Sequence, residues 1–298
     1  MKKFAWLLAG ALFPIAAMAA DAPGPDWAFM TPDPNAPAPQ PAASGGGGGA
    51  PAAAPATAPA GVPQIVVAGK GADVRPCNTC HTPSGMGQPE SANIRGLNAE
   101  YFARQMRDFK SGARGGPRSG AMAMFAKGMT DDEIKDVAAY YAGLKPAQWT
   151  RVSETNVAPK SIVGRNSQRT RVEASDTEPV GSRIIEFATS PAAVRQMAEP
   201  AFVAFVPPGA LGNGKTLVTT GGGKAEACTG CHGDKLQGED DVPALAGRSP
   251  VYIARQIYSF KNGVRKGPMA EIMKGIVAKL SDDDVIGVAS YVSSLDPS

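Results

Sequence analysis

The chain is poor in the residues that most often carry chemistry. Among its 298 residues there are two histidines and four cysteines, and all six lie in two short strings. Charge of one sign is also lacking: 30 basic against 27 acidic side chains leave +3. Such a balance gives no reason to expect nucleic acid or anionic lipid as a partner. Beyond the first twenty residues no run is long and apolar enough to span a bilayer. Those twenty begin Met1-Lys2-Lys3, run apolar from Phe4 to Ala20, and place Ala17 and Ala19 in an A-x-A pattern. This is the design of a secretory leader cut after Ala19 or Ala20. An uncleaved anchor is the competing reading, and Pro14 with the alanine-rich cleavage site speaks against it. The mature chain is therefore expected in the periplasm.

The two strings are Cys77-Asn78-Thr79-Cys80-His81 and Cys228-Thr229-Gly230-Cys231-His232. Cys-x-x-Cys-His is the attachment signature of c-type haem. Each thiol adds across a porphyrin vinyl group, and the adjacent imidazole reaches the iron from one face. Two covalently attached c-type haems are the expected cofactors. An all-cysteine zinc site would hold its pairs closer in sequence. A redox dithiol would sit between a strand and a helix. Neither of these, nor two short disulfides, explains why each histidine directly follows a second cysteine.

The strings lie 151 residues apart, and the offset persists downstream. Gly96 matches Gly247, Tyr101 matches Tyr252, Arg104-Gln105 matches Arg255-Gln256, and Arg114 matches Arg265. Gly116-Pro117 matches Gly267-Pro268, and Met122 matches Met273. A constant offset of this length means two copies of one domain. The expected organisation is a leader at 1–20, a Pro/Ala/Gly-rich linker at 21–63, domains at 64–146 and 209–298, and a connector at 147–208. Apolar residues at Phe102, Met106 and Phe109, and at Ile253, Ile257 and Phe260, have helical spacing. Asn98 and Ser249 are N-cap types, and Gly112 and Gly263 can end these helices. Thr130 with Glu133 and Ser281 with Asp284 predict capping boxes on a last helix in each copy.

The order haem motif, loop, helix, methionine segment, capped helix resembles the class I c-type cytochromes. Two copies in one exported chain are similar to the dihaem cytochromes of the cytochrome c-four type. The resemblance covers both repeats but not the tract between them. It implies an all-α fold of two tandem class I cytochrome c domains joined by a long, mostly irregular connector. It also implies His/Met-ligated haems and electron transfer.

With both histidines used as proximal ligands, neither haem can be bis-His, which leaves methionine, lysine, an unusual ligand or an open site for the sixth position. Domain one offers Met86, Met106, Met122, Met124 and Met129; domain two offers Met269 and Met273. Only Met122 and Met273 share the repeat offset, each seven residues ahead of Met129 or Leu280, where the resemblance also places the ligand. The expected iron ligands are thus His81 with Met122 and His232 with Met273, with Met124 and Met269 as alternatives. Thioether ligation favours ferrous iron and raises the potential. The resemblance further implies a proline whose carbonyl accepts the proximal histidine's ring N–H. Pro243 stands there in the second copy and Ala92 in the first, a difference expected to give the haems unequal potentials. Arg104, Arg255, Arg114 and Arg265 are read either as solvated faces or as contacts to haem propionates, the last two preferred for that role.

In the connector, a basic cluster (Lys160, Arg165, Arg169, Arg171) precedes Glu173, Asp176 and Glu178, and the stretches 183–187 and 202–206 read as extended. An ordered wrap across both domains is preferred over a docking surface for a dehydrogenase or oxidase. The leading functional reading is an electron carrier without catalytic residues. It would serve redox proteins such as a dehydrogenase, a cytochrome bc complex or a terminal oxidase, and would meet the membrane peripherally through them. A cytochrome subunit of a periplasmic dehydrogenase is the alternative. A dihaem peroxidase is disfavoured because no histidine remains for distal acid–base work.

Overall fold

Capping residues set where the helices of each copy begin. The computed structural model describes residues 24–36, 57–172, 176–196 and 200–298. The expected leader, most of the Pro/Ala/Gly tract and Glu173 lie outside the described residues. A short helix α1 (Asp26–Phe29) comes first. The first copy then contains α2 (Gln64–Ala68), α3 (Asn78–His81), α4 (Ala99–Ser111), α5 (Gly120–Gly128) and α6 (Asp131–Ala142). Asn98 accepts from the backbone N–H groups of Glu100 and Tyr101 at the start of α4, and Gly112 ends it with φ +81°. Thr130 and Glu133 form the reciprocal capping box of α6. Phe102, Met106 and Phe109 bury the inner face of α4 beside Ile134, Val137 and Tyr141 of α6.

Between the copies, among the described residues, lie seven strands and a helix: β1 (Thr150–Glu154), β2 (Val157–Pro159), β3 (Ser161–Val163), β4 (Arg169–Arg171), β5 (Thr177–Pro179), β6 (Ile185–Ala188), α7 (Pro191–Gln196) and β7 (Phe202–Val206). The second copy follows with α8 (Ala210–Thr220), α9 (Thr229–His232), α10 (Pro250–Lys261), α11 (Ala270–Val277) and α12 (Asp282–Ser294). Ser249 caps α10, and Ser281 with Asp284 forms the capping box of α12. α8 and α12 cross where two glycines meet. A Cβ on Gly214 would stand 2.0 Å from the Gly287 carbonyl oxygen, so neither helix could approach the other with a larger residue there.

The all-α expectation is wrong, because the connector is built of β-structure and the fold is mixed. β7 is the centre of a three-stranded sheet, parallel to β1 and antiparallel to β6. β2 pairs with β5, and β3 with β4, both antiparallel. The strands are three to five residues long, too short for a period-2 pattern to stand out. Ile185, Glu186 and Phe187 are all buried, as are Phe202, Val203 and Ala204, so alternation between faces is missing. The stretches read as extended at 183–187 and 202–206 are β6 and β7; the parallel partner β1 had no signal of its own.

The connector bridges the two copies. Trp149 donates from Nε1 to the Gly87 carbonyl at 2.9 Å on one side, and Glu186 accepts from the Ser249 hydroxyl at 2.6 Å on the other. The aromatic segment near the N-terminus also docks. Trp27 meets Tyr258 edge-on at 6.4 Å, Arg255 donates to the Ala28 carbonyl, and Ala28, Phe29 and Met30 are buried.

Candidate functional site

In each copy the Cys-x-x-Cys-His string forms a single helical turn that turns the histidine inward. His81 and His232 are buried, while Cys80 and Cys231 are exposed and Cys77 and Cys228 half-buried. No pair of these cysteines is joined as a disulfide. Burial pushes the Cys77 thiol up to about 11 and raises the other first cysteine, Cys228, as well. A redox dithiol needs a lowered thiol. The raised first cysteine of each string therefore speaks against a redox dithiol.

The ring nitrogen Nδ1 of His81 lies 2.7 Å from the Ala92 carbonyl oxygen, and that of His232 lies 2.8 Å from the Pro243 carbonyl oxygen. A carbonyl only accepts, so each Nδ1 donates its proton and each Nε2 keeps a lone pair for a metal. Burial lowers both imidazole pKa values, favouring this neutral form. Alanine thus supplies the same hydrogen bond as proline, without the ring.

His81 opens into a cavity of about 290 Å³. Cys77 and Cys80 line it, Met122 stands in its wall, and Ile94, Leu97, Phe102 and Val137 give it an apolar body. The Tyr141 hydroxyl in the same wall is buried without a hydrogen-bond partner among the described residues. Two thiols, an imidazole lone pair, a thioether and an apolar slot fit a covalently attached haem.

The methionines separate by environment. Met122, on α5, is half-buried against the first core, and Met273, on α11, is half-buried against the second. Met124 and Met269 are 53% and 40% exposed. Met106 and Met129 are buried in the first core, and Met86 is buried against Trp149 and Phe202 beneath the sheet.

At the far end of the cavity the two copies meet through related residues. The Arg114 guanidinium donates to Gln105, Gln256 and the Tyr252 hydroxyl, and that of Arg265 donates to Gln105 and Gln256. Arg114 lies over the Phe109 ring at 4.5 Å and Arg265 over the Phe260 ring at 4.1 Å. Arg248 and Arg255 are buried nearby on backbone carbonyls, and burial pushes both down to about 10. Among the described residues none of these four arginines has an ion pair with a carboxylate. Buried cations held only by neutral acceptors call for an anion. Arg104 instead pairs with Asp241 across the boundary between the copies.

In the sequence Gln105, Gln256, Tyr101 and Tyr252 stand out only as identities of the repeat. Their signal was a polar residue kept at the same offset inside an otherwise apolar helix face. Glu186 and Tyr141 gave no comparable signal.

A family model described as cytochrome c matches residues 66–145 and 212–296. Among curated proteins, cytochrome c4 of Azotobacter vinelandii is 26% identical over 229 residues, covering 74% of this chain and 84% of that one. A thiosulfate dehydrogenase electron acceptor of Stutzerimonas stutzeri is 26% identical over 222 residues, covering 74% of this chain and 78% of that one. A solved thiosulfate dehydrogenase from Marichromatium purpuratum superimposes with a TM-score of 0.52 at 23% identity, over 77% of this chain and 38% of its own. That last likeness concerns the fold alone.

Proposed function

The chain belongs to the cytochrome c family, and from that premise we propose that it carries single electrons between respiratory redox proteins in the periplasm. It is a dihaem electron-transfer cytochrome, with one covalent c-type haem in each copy. The proposed iron ligands are His81 with Met122 and His232 with Met273, in domains spanning 64–146 and 209–298. One observation carries the ligand reading: each imidazole is fixed by a backbone carbonyl in the tautomer that leaves Nε2 free, and a half-buried thioether lies in the same core. When bound, the haem supplies an iron that gains and loses one electron.

The chain's own residues do the rest. Ala92 and Pro243 orient the imidazoles and raise their basicity as ligands. Apolar walls keep water from the iron and favour its less charged state. Arg114 and Arg265 are proposed to hold propionates where the copies meet. Held so by one set of side chains, two bound haems would be able to exchange an electron within the molecule.

A second reading has a specific observation behind it. A relative covered over 78% of its length is named a thiosulfate dehydrogenase electron acceptor, which favours a carrier that serves, or is a subunit with, a periplasmic dehydrogenase. Peroxide chemistry is disfavoured, because both histidines of the chain are committed to the two motifs.

Spectroelectrochemical titration combined with carbon monoxide binding tests the carrier reading. Two one-electron transitions and negligible carbon monoxide binding by the reduced protein are expected. Ready binding at either haem would overturn it.

A further inference from the structure

The turn between β3 and β4 grips the surroundings of the first haem crevice at two places. The turn between β3 and β4, residues 164–168, is internally braced: Gly164 donates to the Gln168 carbonyl, and Asn166 Oδ1 accepts from the Gln168 N–H. Within it Ser167 is 4% exposed with φ +61°, a left-handed conformation rare for serine and maintained only where the surroundings over-determine it. Its hydroxyl accepts from the Arg118 guanidinium. The neighbouring Gln168 side chain donates to Gln88 Oε1 and to Glu90 Oε1, both at 2.9 Å. From the other side, the Asp33 N–H donates to the Val163 carbonyl at 2.9 Å, pinning the N-terminal segment over the hairpin.

The gripped residues come from two separate segments of the first copy. Gln88 and Glu90 lie on the loop that runs to Ala92, the residue whose carbonyl fixes His81. Arg118 lies just ahead of α5, the helix that carries Met122. Glu90 and Arg118 both line the cavity. At the 151-residue offset the second copy has Asp241 in place of Glu90 and Met269 in place of Arg118. Asp241 turns instead to Arg104, and Met269 is exposed. The second copy also has the Pro243 ring to stiffen its loop, where the first has only Ala92.

We propose that the β3–β4 turn is a clasp joining the histidine-bearing loop of the first haem to its methionine-bearing segment, with Ser167 and Gln168 as positioning residues that keep Met122 on the iron. The proposal rests on the His81/Met122 reading. The connector thereby supplies to the first haem the stiffness that a proline ring gives the second. Neither Ser167 nor Gln168 lines the cavity, so their effect on the iron is transmitted through Arg118, Gln88 and Glu90.

The test uses the full-length protein with both haems attached, in three forms: unchanged, Met122→Ala, and the double variant Ser167→Ala with Gln168→Ala. The readouts are the methionine–iron charge-transfer band of the oxidised protein during warming, and carbon monoxide binding after reduction. Met122→Ala is expected to remove half of the band. The double variant is expected to keep the full band at low temperature but lose half of it at lower temperature than the unchanged protein. Its carbon monoxide binding at one haem should be about ten- to a hundredfold faster, the factor that one or two lost hydrogen bonds carry. The second haem, unchanged in the same molecule, reports that the fold is intact. If Met122→Ala leaves the band whole, the ligand reading fails. If it halves the band while the double variant matches the unchanged protein, or loosens both haems equally, the clasp is wrong.

Discussion

At the scale of single residues, both haem sites draw on a small set of side chains. Every histidine and cysteine falls in two strings, and the repeat offset pairs only two of the methionines of the two copies with each other. What the sequence could not supply was exposure. Met269 lies four residues from Met273 and on the same face of a helical turn by spacing, yet it is 40% exposed at the N-terminal end of α11 while Met273 packs against the second core. The difference leads to a direct expectation. Met273→Ala should open one iron, so that the reduced protein binds one equivalent of carbon monoxide and the potential of that haem falls with loss of the thioether. Met269→Ala should bind none and keep both potentials. Carbon monoxide titration followed by redox titration distinguishes the two, and the reverse pattern would move the ligand to Met269.

At the scale of elements, caps and stripes were readable while the connector's strands were not. Asn98, Thr130, Ser249 and Ser281 all cap as their residue types predict, because a capping interaction is local in sequence. The three-stranded sheet depends on pairing β1 with β7 across some fifty residues, which no local pattern reports. Glu186 on β6 illustrates what such pairing builds. Its carboxyl is fully buried between sheet and helix and accepts from the Thr150 and Ser249 hydroxyls and the Val251 N–H. Burial pushes its pKa up to about 7, although Arg255 and these hydrogen bonds pull the other way. The folded protein therefore holds a proton that the unfolded chain has released across the window from about pH 4.5 to about 7. Stability falls as pH rises through that window and levels off above it. Glu186→Gln, which mimics the protonated acid, should raise the thermal midpoint at pH 8, by a stabilisation on the order of 2 kcal/mol, and change little at pH 4. Thermal unfolding at both pH values measures this, and an equal effect at the two would refute it.

At the scale of the whole molecule the two copies meet about a local pseudo-twofold. Arg114 and Arg265 pair antiparallel through their backbones, and each guanidinium reaches the glutamines of both copies. The repeat predicted that these arginines are equivalent, but equivalence in sequence does not say that they face one another. Because Arg265 lines the cavity that contains His81, a charge carried by the second copy acts on the haem of the first. Removing a buried cation near an iron favours the more positive, oxidised state, so Arg265→Gln should lower the first haem's potential. A tenfold change in a one-electron equilibrium corresponds to roughly 60 mV, and a shift of that order is expected. Buried charges are little screened, so the shift should persist between low and high salt, unlike that of an exposed arginine. Potentiometric titration of the variant at two ionic strengths provides both comparisons. A shift confined to the second haem would mean that Arg265 serves only its own copy, and one abolished by salt would mean that its charge is solvated rather than held against the haem edge.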